Sequence, residues 1–140
     1  LTHKAAARLR HIGYWAGRIG ASISYGYAGA AWHCDIPLEL CQDTLTMVQV
    51  LTRAWNEIPH PDGLPIKASV TLYNLVAHGQ TSAPLFTEAR DRVDLALAMD
   101  QANRKFGRNK IYFASMFDAR ETARTGIAFN YVPEFNPEFS

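Results

Sequence analysis

A chain of 140 residues, 48% apolar, 19% charged and with a net charge of +1, suits one globular domain with one core, burying about two thirds of its unfolded surface. No apolar run approaches the ~18 residues needed to cross a bilayer and nothing resembles a signal peptide, so a soluble, cytoplasmic protein with no membrane partner is expected. Cys34 and Cys41 are too few for a disulfide framework or a four-cysteine zinc site, and reduced, partly buried thiols are expected instead.

The stretch "THKAAARLRHIG" is rich in Ala and Leu and ends at Gly13, as a helix with a glycine stop should. It reads as the tail of a helix begun upstream, and the opening Leu1 in place of Met fits a piece of a longer parent. In "RIGASISY", Ile19, Ala21, Ile23 and Tyr25 alternate with Arg18, Gly20, Ser22 and Ser24, the period of a half-buried strand. Beyond "YGYAGA", Trp32, Cys34 and Ile36 alternate with His33 and Asp35, so the two strands pair as an antiparallel hairpin. The segment "CQDTLTMVQVLTRAWNEIP" places Leu45, Val48, Leu51, Thr52 and Trp55 at three- and four-residue steps, an amphipathic helix with Asp43 as its N-cap. A third half-buried strand lies in "IKASVTLYNL", with Ile66, Ala68, Val70 and Leu72 on one face and Lys67, Ser69, Thr71 and Tyr73 on the other.

Residues 77–90 break every period and read as a loop. A last helix follows from residue 91, with Leu95, Ala98, Met99, Ala102 and Phe106 facing the sheet and Gly107 as its stop. "KIYFAS" and "TGIAFNYV" are expected as further short strands. The organisation is one domain: residues 1–76 form the sheet and helix core, 77–90 the loop, and 91–132 the final helix and strands. Its class is α+β, an antiparallel sheet with helices packed on one face.

Charge is unevenly distributed along this framework. Residues 1–34 carry Lys4, Arg8, Arg10 and Arg18 with no acid; residues 101–117 carry Arg104, Lys105, Arg108 and Lys110 with no acid. Such blocks can face phosphates even in a nearly neutral chain, against the plainer reading of a solvated face. If Arg18, Ser22, Ser24, His33, Lys67, Ser69 and Thr71 share the outer sheet face, that face is flat, basic and rich in hydroxyls. It then suits sugar–phosphate backbone rather than base edges. The competing reading is that any sheet covered on one side has a polar second face.

Catalytic and metal residues are expected to be absent. Two-metal phosphoryl-transfer chemistry needs clustered carboxylates holding two divalent ions. Asp91 and Asp94 read instead as first-turn acids favoured by the helix dipole, with Asp100 beside the core face. His33 and Cys34 are adjacent on a strand and point to opposite faces, while His60 and His78 lie in loops without a spaced partner. Trp32, Trp55, Phe106 and Phe113 read as core.

The ordered succession "KAAARLRHIGYWAGRIGASISY", "LCQDTLTMVQVLTRAW", "GLPIKASVTLYNL", "APLF" and "ALAMDQANRKFGRNKIYFAS" resembles the little finger domain of the Y-family DNA polymerases. It looks closest to the UmuC-type and ImuB-type members, and the match spans nearly the whole chain. The resemblance implies a non-catalytic domain of an error-prone translesion polymerase, acting in DNA repair and the SOS response. Its partner would be double-stranded primer–template DNA, held by the backbone near the primer terminus; magnesium would belong only to the parent's palm. Arg104, Lys105, Arg108 and Lys110 join the sheet-face residues as expected phosphate contacts. The family's sliding-clamp motif is represented only by Gln80, Leu85 and Phe86, too widely spaced and interrupted by Pro84, so weak clamp contact is expected. Gly126 stands where the family often carries a basic residue. The other hypotheses are a protein-interaction module working through loop 77–90 and a small-molecule enzyme, for which no paired titratable groups are visible.

Overall fold

The order of elements is α1 (Thr2–His11), β1 (Tyr14–Tyr25), β2 (Ala30–Cys41), α2 (Thr44–Glu57), β3 (Pro65–Ala77) and α3 (Thr87–Phe106). The structure, a computed structural model, describes residues 1–26, 29–80 and 87–119. The strands form a three-stranded antiparallel sheet in the order β2-β1-β3, and helices lie on one of its faces. The α+β class expected from the sequence is the one observed.

Local chemistry explains where the elements stop. Gly13 takes φ +74° and ends α1, its amide donating to the Arg10 carbonyl at 3.1 Å; a residue with a Cβ resists that left-handed backbone. Asp43 caps α2 as anticipated, its Oδ1 accepting from the Thr46 amide at 2.7 Å. Gly107, at φ +107°, follows the last residue of α3.

The core lies between the sheet and the first two helices. Ala6 and Leu9 of α1 and Met47 of α2 close on Ala16, Ile19 and Cys41, with Val50, Leu51, Val70 and Leu72 around them. A second cluster at the other end gathers Tyr25, Trp32, Cys34 and Ala54, with Trp55 against it. The buried side of α2 is therefore Met47, Val50, Leu51 and Ala54, one position round from the stripe read in the sequence. Apolar residues occupy so much of this helix that three- and four-residue steps fit two phases. Thr52 lies on the exposed side, where its hydroxyl donates to the Val48 carbonyl at 2.8 Å.

β1 begins at Tyr14, four residues before the alternation becomes visible. The alternation breaks there: Ala16 and Ile19 both face the core although three positions apart, and across the same break the pairing with β2 shifts, its extra residues lying in β2. Opposite Gly17, Asn74 holds a left-handed φ of +53°, a conformation that Asn tolerates better than most residues. A Cβ on Gly17 would stand 3.1 Å from the Asn74 carbonyl oxygen, so glycine permits the close approach.

α3 departs most from expectation. It starts at Thr87, which puts Asp91 and Asp94 beyond its first turn and leaves Glu88 there. It lies against α1 rather than the sheet, and by a largely polar seam. Ala96 is buried, Arg92 donates to Thr46 and Gln49 of α2, and Asp100 pairs with Arg10 of α1. Leu95 and Phe106, expected inside, are 49% and 64% exposed.

"KIYFAS" is not a strand: the chain makes a 3-10 turn at Ala114–Met116. The Asn103 side chain accepts from the amides of Lys110 and Ile111 at 2.8 and 2.9 Å and donates to the Ile111 carbonyl at 2.8 Å. The groups that would enter a ladder are thus folded back onto the helix end, and Phe113 packs edge-on against His3, 5.6 Å between centroids. The expected strand "TGIAFNYV" lies outside the described residues.

Candidate nucleic-acid interface on the outer sheet face

Residues directly opposite one another in an antiparallel ladder share a face. The register sets Arg18 beside Pro37 and Tyr73, Gly20 beside Asp35 and Thr71, Ser22 beside His33 and Ser69, and Ser24 beside Ala31 and Lys67. Arg18, Ser22, Ser24, His33, Lys67, Ser69 and Thr71 therefore occupy one surface, the one turned away from Ile19, Cys34 and Leu72. A hydrogen bond of 2.8 Å between the Ser22 and Ser69 hydroxyls ties its centre together, while His33, Lys67 and Thr71 are exposed.

Asp35 and Tyr73 complete this surface. Arg18 Nε donates to Asp35 Oδ1 at 3.1 Å and the Tyr73 hydroxyl donates to the same oxygen. The Tyr73 ring reaches across β1 toward β2 over Gly20, passing 3.5 Å from where a Cβ there would stand, an ordinary contact distance. The Tyr73 hydrogen bond, and then Arg18, hold the Asp35 carboxyl below the usual carboxylate range. Asp35 stays ionised at neutral pH, and part of the Arg18 charge is offset. Strand alternation already placed Asp35 beside His33 on the outer side; its partnership with Arg18 was not read from it.

The structure does not bring the second basic run to this surface. Arg104, Lys105, Arg108 and Lys110 are all exposed, but the first two end α3 and the others follow it, and α3 packs on the helices covering the opposite side of the sheet. Other cations of the first block also have partners. Arg10, with a side chain only 4% exposed, makes a two-pronged pair with Asp100 at 2.6 and 2.9 Å. Its remaining nitrogen donates to the Gln42 carbonyl at 2.8 Å and to Thr44 Oγ1 at 3.0 Å. Arg10 is a structural clamp, not a phosphate ligand.

Gln80 is exposed in a 3-10 turn after β3, and Leu85 and Phe86 lie outside the described residues. Burial, followed by the nearby Asp43 charge, pushes the Cys41 thiol up to about 12; burial also raises Cys34, so both remain protonated thiols. The loop histidines are packed by aromatics: His60 stacks on Trp55 at 4.4 Å, and His78 Nδ1 accepts from Trp15 Nε1 at 3.1 Å. A groove of about 280 Å³ between α2 and the inner sheet face, flanked by Trp55, Leu51 and Val70, has no titratable side chain in its lining. Among the described residues no group of His, Cys, Asp and Glu is placed to hold a metal ion, and no helix is long and apolar enough to cross a membrane. No protein-family model, no curated protein and no solved structure matches the chain.

Proposed function

We propose that this chain holds duplex DNA by its sugar–phosphate backbone, as a non-catalytic little finger-like domain of an error-prone Y-family polymerase in translesion synthesis and repair. A cytoplasmic location goes with that reading. The observation that supports it is the shared register of Arg18, Ser22, Ser24, His33, Lys67, Ser69 and Thr71 on the sheet face that, among the described residues, no helix covers. Small hydroxyl donors and long cations on a flat surface match phosphate oxygens without reading sequence. The basic run after α3 is left out of this contact because it lies on the helical side.

Fluorescence anisotropy with two duplexes of unrelated sequence tests the proposal. Equal affinities that fall with salt are expected, and Lys67→Ala should weaken both alike. Binding that is absent at low salt, or that Lys67→Ala, Ser69→Ala and His33→Ala together leave unchanged, removes the sheet face from consideration. The chain by itself is also expected to extend no primer with magnesium or manganese.

A further inference from the structure

Among the described residues, α3 presents to solvent a face that no other element covers. Viewed down a helix that turns about 100° per residue, Asp91, Leu95, Ala98, Ala102 and Lys105 lie on one line, opposite buried Ala96. Their spacing alternates four, three, four and three, the repeat of a helix–helix seam. Asp91, Leu95, Ala98 and Lys105 are exposed, and the small side chains of Ala98 and Ala102 would let a second helix approach closely.

The charge along this line decides what fits there. On this line Asp91, flanked by Glu88 and Asp94, stands in the N-terminal half, with Arg90 and Arg92 about 100° round the helix from it, and Lys105 stands in the C-terminal half. We propose that the occupant is a second copy of this chain, with the two α3 helices antiparallel about a two-fold axis near Ala98. Asp91 then faces the partner's Lys105, and Leu95 packs beside the partner's Ala102. The contact is made twice by symmetry and closes on itself. A parallel pair would oppose Asp91 to Asp91 and Lys105 to Lys105, so the charges select the antiparallel orientation. Lys105 is already held near this face, its ammonium 5.2 Å from the Phe106 ring centroid. The dimer rests on α3 alone and is independent of the DNA reading.

Sedimentation velocity on the 140-residue chain over a concentration series tests it. A monomer–dimer equilibrium that weakens with salt is expected. Asp91→Lys and Lys105→Glu should each raise the dissociation constant about tenfold or more, and the double variant should return it to within about threefold of the original. These positions are exposed, so circular dichroism should show the fold unchanged. A chain that stays monomeric up to about 1 mM overturns the proposal, as would occur if another stretch of the same chain or a different protein covered the face. So does a dimer that none of the three variants disturbs, since it must form elsewhere.

Discussion

On the outer sheet face the Asp35 carboxylate stands between the Arg18 guanidinium and the Tyr73 hydroxyl, and it lowers the positive potential that a phosphate would meet. Replacing it with Asn keeps an oxygen for Tyr73 while removing the charge. Asp35→Asn is therefore expected to strengthen duplex binding about three- to tenfold at low salt, measured by anisotropy, because Arg18 regains its full attraction. Lys67, exposed and opposite Ser24, is the complementary case. Lys67→Ala should reduce the magnitude of the log K versus log salt slope by about 0.9 if it meets a phosphate. Unchanged affinity in both variants would place the DNA contact on another surface. His3 governs a different property. Burial, helped by the Leu1 ammonium and Arg10, lowers its pKa from 6.5 to about 4, so the folded chain binds fewer protons than the unfolded one between those values. The stability contributed by neutral His3 is complete above about pH 6.5 and is lost as pH falls toward 4. Urea unfolding should show a loss of about 1–2 kcal/mol from this source between pH 7 and 5, after allowance for solvent screening. His3→Gln should reduce the pH dependence by that amount; an identical pH profile in the variant rejects the assignment.

Among the elements, α3 depends most on one polar joint. The Arg10 side chain is 4% exposed and the Asp100 side chain 21%, and the guanidinium reaches α3 and the β2–α2 junction together. Asp100→Ala leaves a buried cation without its acid and should cost about 3–5 kcal/mol in urea unfolding. Arg10→Met combined with Asp100→Leu should recover most of that loss, because the pair's own desolvation penalty disappears with it. A double variant as unstable as Asp100→Ala alone would show that the charges themselves hold the helix. The joint had no local signature, since its partners lie 90 positions apart. A count of neighbouring charges could only class Arg10 with an acid-free block. Signals that act over a few residues were legible: the Asp43 cap, the Gly13 and Gly107 stops, and the alternation that put seven site residues on one face. Helix phase was not, because α2 offers two apolar stripes and α3 places its apolar stripe outward. Nor was the irregularity between Ala16 and Arg18, across which the alternation breaks and which hid the first part of β1. The strand expected in "KIYFAS" failed because β-propensity cannot register a side chain such as Asn103 already bonded to the amides concerned.

At the scale of the molecule the elements stack in layers: the sheet with its polar side outward, then α1 and α2, then α3. Layer spacings of about 10 Å put the basic run at the end of α3 roughly 20 Å from the outer sheet face. That separation is about two Debye lengths at 0.1 M salt, but less than one at 0.01 M, where the screening length is about 30 Å. A duplex held on the sheet should therefore feel Arg108 and Lys110 only as a distant field. Arg108→Ala with Lys110→Ala is expected to weaken binding measurably at 0.01 M salt and to leave affinity unchanged within about twofold at 0.1 M. Lys67→Ala should weaken binding at both concentrations, because a direct phosphate contact releases counterions whatever the bulk salt. Titrating the three proteins against one duplex at the two salt concentrations separates the cases. If the Arg108 and Lys110 variant loses affinity at 0.1 M and Lys67→Ala does not, the duplex lies on the helical side, and the hydroxyl-rich sheet face is an ordinary solvated surface.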